Sequence, residues 1–330
     1  MAEKKRVFSG IQPSGRLHIG NYVGAMKNMI SLQEEYSCIY GIVDYHAMTV
    51  HFDPKEMERS IFECAVDYIA AGVDPTKSIL MVQSTVTGHT ELAWILNTVT
   101  PISWLLRVPT FKEKRKQNPD YVNMGLLDYP VLMAADIILY HAEVVPVGDD
   151  QLPHLELTRE IVRRFNGIFG WTFPEPKAKL GAVSRILGLD GASKMSKSLD
   201  NCIYLDDTEE DIWKKLSTAV TDVRRKRRAD PGEPDECNIF TMHKAFSGTA
   251  DVEYCSRECR IAGIGCLDCK KILLESIRRE LGPMQERAGR LRNDRDQVLE
   301  ILKQGQKRAE EIARRTMAEV HEKLGIGLYH

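Results

Sequence analysis

Two short segments of the chain carry residue types that bind phosphate. The first runs Gln12-Pro-Ser-Gly-Arg-Leu-His18-Ile-Gly20-Asn21, between an apolar strand-like run and a helical pattern. At a strand-to-helix turn the backbone N–H groups can receive phosphate, and Gly20 lets a ring or a phosphate approach the backbone closely. The segment matches neither G-x-G-x-x-G nor G-x-x-x-x-G-K-[ST], so it indicates neither a dinucleotide fingerprint nor a Walker loop. By itself, a histidine near a helix start such as His18 is more often a residue that caps or packs the helix.

The second segment is a lysine loop, Lys194-Met-Ser-Lys-Ser198, which follows the glycine- and serine-containing stretch Gly188-Leu-Asp-Gly-Ala-Ser193. Two lysines three positions apart in such a loop can clamp one polyphosphate. The alternative is an exposed, flexible lysine loop. Together the two segments predict a polyphosphate site in one α/β domain.

Five of the eight cysteines crowd into one stretch, whereas Cys38, Cys64 and Cys202 are scattered. Cytosolic proteins rarely keep disulfides, so this crowding indicates metal binding before cross-linking. Three close ligands come from Cys259-x6-Cys266-x2-Cys269, with Cys237 as the fourth and Cys255 as an alternative fourth. Four thiolates suit zinc or an iron–sulfur cluster. Free cysteines gathered by chance are the remaining alternative.

The elements that must position these residues alternate between strands and helices in the first half, which predicts a parallel sheet in an α/β domain. Strands are predicted at 6–10, 38–43, 78–83 and 144–147, and helices at 21–35, 55–71, 91–98 and 151–165. The polar run 111–123 predicts a mobile loop. From residue 205 helical spacing dominates, and 290–324 predicts a long amphipathic helix or helix pair. A domain boundary is expected near residue 200.

Composition excludes several classes of protein. The 330 residues carry 45 Lys and Arg against 47 Asp and Glu, for a net charge of −2, and 43% are hydrophobic. These values exclude disorder, collagen-like repeats and a basic nucleic-acid coat. No apolar run approaches the ~20 residues of a membrane helix, and the first residues form no signal-like region. We therefore expect a cytoplasmic location and no membrane association.

The two phosphate-type segments are similar to the signature motifs of class I aminoacyl-tRNA synthetases. In detail the chain resembles the tryptophanyl-tRNA synthetases of the bacterial type, densely over residues 6 to about 220 and loosely beyond. The further segments that carry this resemblance are Phe8-Ser-Gly-Ile-Gln-Pro-Ser-Gly15, Asp44-Tyr-His-Ala-Met-Thr49, Tyr129-Pro-Val-Leu-Met-Ala-Ala-Asp136-Ile and Val145-Pro-Val-Gly-Asp-Asp-Gln151. The resemblance implies a Rossmann-type catalytic domain in 1–200, with a helical insertion and mobile loop at about 105–135. It also implies an all-helical tRNA anticodon-binding domain in 201–330 and a homodimer.

The reaction implied by the resemblance joins L-tryptophan to ATP as an adenylate, releases pyrophosphate and transfers tryptophan to the 3′ end of tRNA(Trp). The nucleophile is an ionised carboxylate, so positioning and charge stabilisation matter more than a general base. By resemblance, the catalytic groups are His18, Asn21, Lys194, Lys197 and Lys114. The implied ATP-binding positions are Gln12, Pro13, Ser14, Gly20, Asn21, Gly148, Asp149, Asp150, Ile186, Lys194, Met195, Ser196, Lys197 and Ser198. Mg²⁺ is expected on the phosphates, held mainly by ATP and water.

Asp136 is the candidate for amino-acid selectivity, because it lies in the apolar stretch 132–139 and is costly to bury without a partner. An indole N–H would satisfy it, whereas phenylalanine would leave it unpaired. The alternative is an ion pair with a nearby Lys or Arg. By resemblance, the tryptophan pocket also contains Phe8, Gln12, His46, Met133, Val145, Val147 and Gln151. His46 alone could be a core histidine, and a tyrosine enzyme is the rival within the class, although Phe8 favours tryptophan.

A subset of these synthetases carries a 4Fe–4S cluster beside the anticodon-binding helices, and the cysteines of this chain are similar to theirs. The implied ligands are Cys237, Cys259, Cys266 and Cys269, with Zn²⁺ as the alternative metal. The site could staple a helical domain, or it could support tRNA contacts through Lys270, Lys271, Arg278 and Arg279. A rival of another class is a redox-sensing, regulatory RNA-binding paralogue.

Overall fold

The computed structural model describes residues 4–13, 15–109, 111–112, 121–180 and 186–327. Within these ranges a five-stranded parallel sheet has the strand order β3-β2-β1-β4-β5. The strands are β1 Arg6–Ile11, β2 Ser37–Ile42, β3 Ser78–Val82, β4 Val144–Val147 and β5 Lys177–Leu180. The predicted α/β fold with a parallel sheet is confirmed.

Strands β2 and β3 are buried along nearly their whole length, as expected for a parallel sheet covered on both faces. β1 pairs with β2 on one side, with Phe8 opposite Ile39, and with β4 on the other, with Val7 opposite Val144. The order of the strands therefore reverses at β1, with β2 and β3 on one side of it and β4 and β5 on the other. Ligands of such sheets bind at the carboxyl ends of the strands beside this switch point.

Helices connect and flank the strands, and no described helix is long and apolar enough to cross a membrane. They are α1 Ile19–Asn21, α2 Lys27–Leu32, α3 Asp44–Ala47, α4 Pro54–Ala71, α5 Gly88–Val99, α6 Ile102–Arg107, α7 Met124–Ile138, α8 Leu152–Phe169, α9 Glu209–Thr218, α10 Asn238–Phe246, α11 Thr249–Arg260, α12 Cys266–Asn293 and α13 Arg295–Leu324. A π-helical segment, Tyr22–Met26, joins α1 to α2.

The described residues form two compact units. The sheet unit lies within Met1–Gly15, Asn28–Gly181 and Asp294–His330, and the helical unit within Arg16–Lys27 and Ala182–Asn293. This division differs from a single boundary near residue 200, because α13 belongs to the sheet unit. Gly305 packs directly on β3, where a Cβ would lie 1.7 Å from the Leu80 carbonyl oxygen. Arg308 also donates to the carbonyls of Pro75 and Ser78, each at 3.0 Å.

Candidate active site and cysteine cluster

His18 and Asn21 cap the helical stretch that follows the first phosphate-type segment. The Asn21 backbone N–H donates to His18 Nδ1 at 3.2 Å, and the His18 backbone N–H donates to Asn21 Oδ1 at 3.1 Å. Burial, aided by the charges of Lys197 and Lys194, lowers the pKa of His18 to about 4, so the ring is neutral at pH 7. Because Nδ1 accepts, the ring proton is on Nε2. The cap thus leaves His18 Nε2–H and the Asn21 side-chain amide as donors.

The lysine loop takes its shape from Asn201. The side-chain carbonyl of Asn201 accepts from the Ser196 N–H at 2.8 Å, and its amide donates to Asp190 at 2.9 Å and to the Lys194 carbonyl at 3.2 Å. Gly188 is required beside this amide, since a Cβ there would lie 2.0 Å from Asn201 Nδ2. The loop therefore presents its lysines from a hydrogen-bonded base.

The two phosphate-type segments meet at Gly20 and Met195. A Cβ on Gly20 would lie 2.9 Å from His18 Nδ1 and 3.3 Å from the Met195 Cβ, and the Met195 side chain is buried. Lys194 and Lys197 lie close enough to His18 to contribute to its lowered pKa. The structure thus gathers two cations and two neutral donors, a combination that suits a phosphate chain.

The other predicted nucleotide positions are divided between the units. Ile186 is buried in the helical unit. Gln12 and Pro13 follow β1 and residues 148–150 follow β4, at the carboxyl ends of neighbouring strands in the sheet unit. Ser14 and Lys114 lie outside the described residues, as does the side chain of Ser198.

In the sheet unit, Asp136 of α7 is 2% exposed and accepts three hydrogen bonds. Gln83 Nε2 and His89 Nδ1 donate to its Oδ1 at 2.6 and 2.7 Å, and His46 Nε2 donates to its Oδ2 at 2.7 Å. Among the described residues no Lys or Arg pairs with Asp136, so the structure contradicts the alternative of such an ion pair. The partners of Asp136 are two imidazoles and an amide, and His46 faces the carboxylate directly.

Asp136 is held as an anion despite its burial. Burial raises its pKa, but the electrostatic attraction and the hydrogen bonds of His46 and His89 outweigh this effect and lower the pKa to about 2. A carboxylate only accepts, so the ring nitrogens that face it carry protons. His89 Nε2 then accepts from the Tyr140 O–H at 2.8 Å, and burial raises the pKa of this phenol well above its usual value. A buried hydrogen-bonded chain runs from Tyr140 through His89 to Asp136.

The apolar residues predicted for the tryptophan pocket lie in or against one hydrophobic cluster, which also contains Tyr140. Phe8 stacks on Tyr140, with ring centroids 5.7 Å apart and ring planes at 11°. Val145 is buried in the same hydrophobic cluster as Phe8, and the partly buried Met133 and Val147 pack against it. Gln12 and Gln151 lie after β1 and β4, and among the hydrogen bonds of the described residues none joins either of them to Asp136.

Gln83, His89 and Tyr140 are site residues that the sequence reasoning did not indicate. Gln83 follows β3 directly and His46 follows β2 closely. Because these parallel strands pair, with Ile42 opposite Val82, the polar residues after them meet at one edge. That rule could have identified Gln83. His89 meets Asp136 through the packing of α5 on α7, and Tyr140 is linked to Asp136 through His89. Sequence spacing does not reveal these contacts.

The crowded cysteines also come together, in the helical unit. The ligand atoms of His243, Cys255 and Cys269 lie within 4.8 Å of one another. Burial raises the pKa of the Cys259 thiol, and the neighbouring Cys237 and Cys266 raise it further. The Arg225 guanidinium, whose Nη1 lies 3.7 Å from the Cys259 Sγ, lowers it. The four cysteines expected as ligands, together with Cys255, therefore form one group of thiols beside Arg225 and His243.

Asn238 and Lys270, each adjacent to one of these cysteines in the sequence, donate side-chain hydrogen bonds to the backbone carbonyls of other segments. The Asn238 side-chain amide donates to the Gly188 carbonyl at 2.7 Å, at the base of the lysine loop. Lys270 is 4% exposed and donates to the carbonyls of Ser217 and Ala219 at 2.9 and 2.7 Å. Lys270 was expected as a possible contact to RNA phosphate, and that expectation is wrong because its ammonium group is buried on backbone carbonyls.

Comparisons with known proteins show the family of the chain. The family model of class I tRNA synthetases for tryptophan and tyrosine (W and Y) matches residues 1–282. A tryptophan–tRNA ligase of Deinococcus radiodurans is 50% identical over 97% of this chain and 98% of its own length, and one of Thermotoga maritima is 42% identical over 97% and 99%. The crystal structure of tryptophanyl-tRNA synthetase from Campylobacter jejuni, complexed with ADP and tryptophan, has a TM-score of 0.87 and 36% identity, covering 97% of this chain and all of that one. The chain therefore belongs to the tryptophan–tRNA ligases of the class I tRNA synthetase family.

Proposed function

We propose that this chain activates L-tryptophan with ATP and transfers it to tRNA(Trp) with the residues described above. The observation that carries the proposal is the meeting of neutral His18 with Lys194 and Lys197 around Gly20. Charge-assisted bonds from the lysines and neutral N–H donors match the phosphate chain of ATP.

In the first step the tryptophan carboxylate attacks the α-phosphorus of ATP, and pyrophosphate leaves. No general base is required, because the carboxylate is ionised at pH 7. His18 Nε2–H and the Asn21 amide donate to phosphate oxygens, while Lys194 and Lys197 stabilise the departing pyrophosphate. By resemblance Lys114 adds a phosphate contact, and Mg²⁺ accompanies ATP. In the second step a ribose hydroxyl at the tRNA 3′ end attacks the aminoacyl carbonyl, and AMP leaves.

Selection of tryptophan is assigned to Asp136. A carboxylate has about four lone-pair positions, and the described donors use two on Oδ1 and one on Oδ2. We assign the remaining position, on Oδ2, to the indole N–H. Phenylalanine would leave this acceptor unpaired, and a site of this kind rejects such analogues by about 10⁴-fold.

Pyrophosphate exchange of the Asp136→Asn variant tests this assignment. An asparagine must turn its N–H₂ group toward a donor, so we expect kcat/KM for tryptophan to fall about 10³-fold, with a small effect on KM for ATP. Asp128→Asn is the matched control, since Asp128 lies on the same helix and accepts one bond from Asn97 at 2.8 Å. Equal losses in both variants would contradict the role of Asp136.

We further propose that Cys237, Cys259, Cys266 and Cys269 hold a 4Fe–4S cluster. The donor set consists of thiols, and Gly232 leaves room beside the Cys259 Sγ, where a Cβ would lie 2.7 Å away. Among the described residues the buried Arg225 Nε has no hydrogen-bond partner, as suits a donor directed at a group with sulfur acceptors. When bound, the cluster supplies a cross-link between helices and a one-electron redox centre.

Iron, zinc and acid-labile sulfide analysis of anaerobically purified protein tests the metal site. Equal amounts of iron and sulfide, with an EPR signal after reduction, are expected in the wild type and in Cys255→Ser, and both should be lost in Cys259→Ser. Zinc without sulfide would favour the alternative metal. Loss of iron from Cys255→Ser would place Cys255 among the ligands.

The proposal includes a homodimer formed through the sheet unit. α5 and α6 pack on α7, and this region exposes large apolar side chains: Trp94, Ile102, Leu106, Val122 and Met124. Such side chains on adjoining helices are typical of an interface. Light scattering should give twice the chain mass for the wild type and the chain mass for Trp94→Glu/Met124→Glu. A monomeric wild type would contradict the proposal.

We propose residues 1–200 as the catalytic region. We assign tRNA anticodon binding to the predicted domain 201–330, and within it to the helices that belong to the helical unit. Arg278 and Arg279 on α12 are the candidate phosphate contacts there. A cytoplasmic location fits an enzyme that charges tRNA, and none of the eight cysteines, all within the described residues, forms a disulfide, as is usual in a reducing compartment. Filter binding of tRNA to Arg278→Ala/Arg279→Ala tests the assignment of tRNA phosphate contacts to α12, and an unchanged affinity for tRNA would contradict it.

A further inference from the structure

We propose that Gln83, His89 and Tyr140 form a positioning shell that gives the pocket its selectivity for an indole N–H by acting through Asp136. None of the three is assigned to contact the substrate. The inference rests on the proposed role of Asp136 as the acceptor of that N–H.

The shell fixes which lone pair of Asp136 is left for a ligand. Gln83 and His89 both donate to Oδ1, at 2.6 and 2.7 Å, which uses both lone pairs of that oxygen. His46 uses one lone pair of Oδ2. Without the shell, the carboxylate could rotate about its terminal torsion, which is broad for aspartate. The single acceptor position on Oδ2 therefore has a defined direction only while Oδ1 is held.

Each donor of the shell is itself fixed in orientation. The Gln83 side-chain oxygen accepts the Tyr45 backbone N–H at 3.1 Å, so its N–H₂ group must face Asp136. Tyr140 donates its O–H to His89 Nε2, which leaves the ring proton on Nδ1, facing the carboxylate. A His89 ring protonated on Nε2 instead would present a lone pair to Asp136 and repel it. Tyr140 thus sets the tautomer of a residue that never meets solvent, as His89 is 0% exposed.

Tyr140→Phe separates this role from packing. The phenylalanine ring keeps the stack on Phe8 and removes only the O–H. Tyr40→Phe is the matched control, because Tyr40 is also fully buried in the sheet unit and donates its O–H to the Met29 carbonyl, outside the Asp136 network. A second variant, His89→Leu, removes the donor to Oδ1 that Tyr140 orients, because a leucine side chain carries no N–H.

The test measures amino-acid-dependent pyrophosphate exchange with two substrates, L-tryptophan and β-(3-benzothienyl)-L-alanine, in which sulfur replaces the indole N–H. We expect Tyr140→Phe and His89→Leu to raise KM for tryptophan about tenfold, the usual scale for one charge-assisted bond. KM for the benzothienyl analogue and for ATP should stay within about twofold, and Tyr40→Phe should leave the tryptophan-to-analogue ratio unchanged.

Equal losses for both substrates in the shell variants would overturn the proposal, because a merely structural role does not distinguish N–H from sulfur. An unchanged ratio in both variants would overturn it as well. A failure of the underlying assignment has a different signature. In that case the wild type would not prefer tryptophan over the analogue, and Asp136→Asn would leave the ratio unchanged.

Discussion

Gly20 offers a sharp test of the contact between the two phosphate-type segments. In Gly20→Ala the new Cβ would lie 2.9 Å from His18 Nδ1, 3.0 Å from His18 Cε1 and 3.3 Å from the Met195 Cβ. The imidazole must then move by about half an ångström to regain ordinary contact, which stretches the 3.2 Å bond from the Asn21 N–H. A displacement of about 1 Å can cost ~10²-fold in rate, so we expect kcat of pyrophosphate exchange to fall about tenfold.

The same substitution at Gly24 is the matched control. Gly24 lies in the adjoining π-helical segment, and a Cβ there would meet nothing within 4 Å. Gly24→Ala should keep wild-type kinetics, and neither variant should change KM for tryptophan by more than about twofold, since Asp136 lies in the other unit. A wild-type kcat for Gly20→Ala, or equal losses at Gly20 and Gly24, would refute the reasoning.

Four further predictions concern the phosphate site. Burial and two lysines lower the pKa of His18 from 6.5 to about 4. The wild type and His18→Gln should therefore show the same pH profile of kcat/KM for ATP near pH 6.5, without a step that depends on His18. An unfolded His18 binds its proton at higher pH than the folded one, so its contribution should lower the free energy of unfolding as pH falls from about 6.5 to about 4; urea titrations of both proteins check this. Lys197→Met should raise KM for ATP and slow exchange by about 10²-fold without changing KM for tryptophan, and an equal effect on tryptophan would contradict it. Asn238→Ala should raise KM for ATP several-fold, because the Gly188 carbonyl loses its buried donor, and a change in tRNA affinity alone would contradict this.

The sequence predicted what depends on local pattern. β3 and β4 come from continuous apolar runs, and the observed strands Ser78–Val82 and Val144–Val147 agree with the predicted ones almost residue for residue. β5 was missed because its sequence, Lys-Ala-Lys-Leu, is largely polar and partly exposed, as an edge strand allows. The placement of the last helix was missed because it depends on the fit of Gly305 against the backbone of β3.

In the candidate site, too, the sequence predicted the residues that follow from local pattern and missed those that depend on tertiary packing. His18, Asn21 and the lysines could be recognised from short motifs, because their spacing along the chain sets their chemistry. The partners of Asp136 come from three other elements, so their meeting depends on strand order and on helix packing. Lys270 looked like a surface cation, but the chain folds over it and supplies two carbonyls. Pairings of this kind follow from tertiary structure and leave no periodic signal in the sequence.

The central claim is that this chain activates tryptophan and selects it through Asp136. The most direct measurement is ATP–pyrophosphate exchange with each of the twenty amino acids in turn, on anaerobically purified protein and on Asp136→Asn. The account predicts exchange with tryptophan alone in the wild type and a loss of about 10³-fold in kcat/KM in the variant. Exchange with tyrosine, or with no amino acid at all from folded protein, would contradict it.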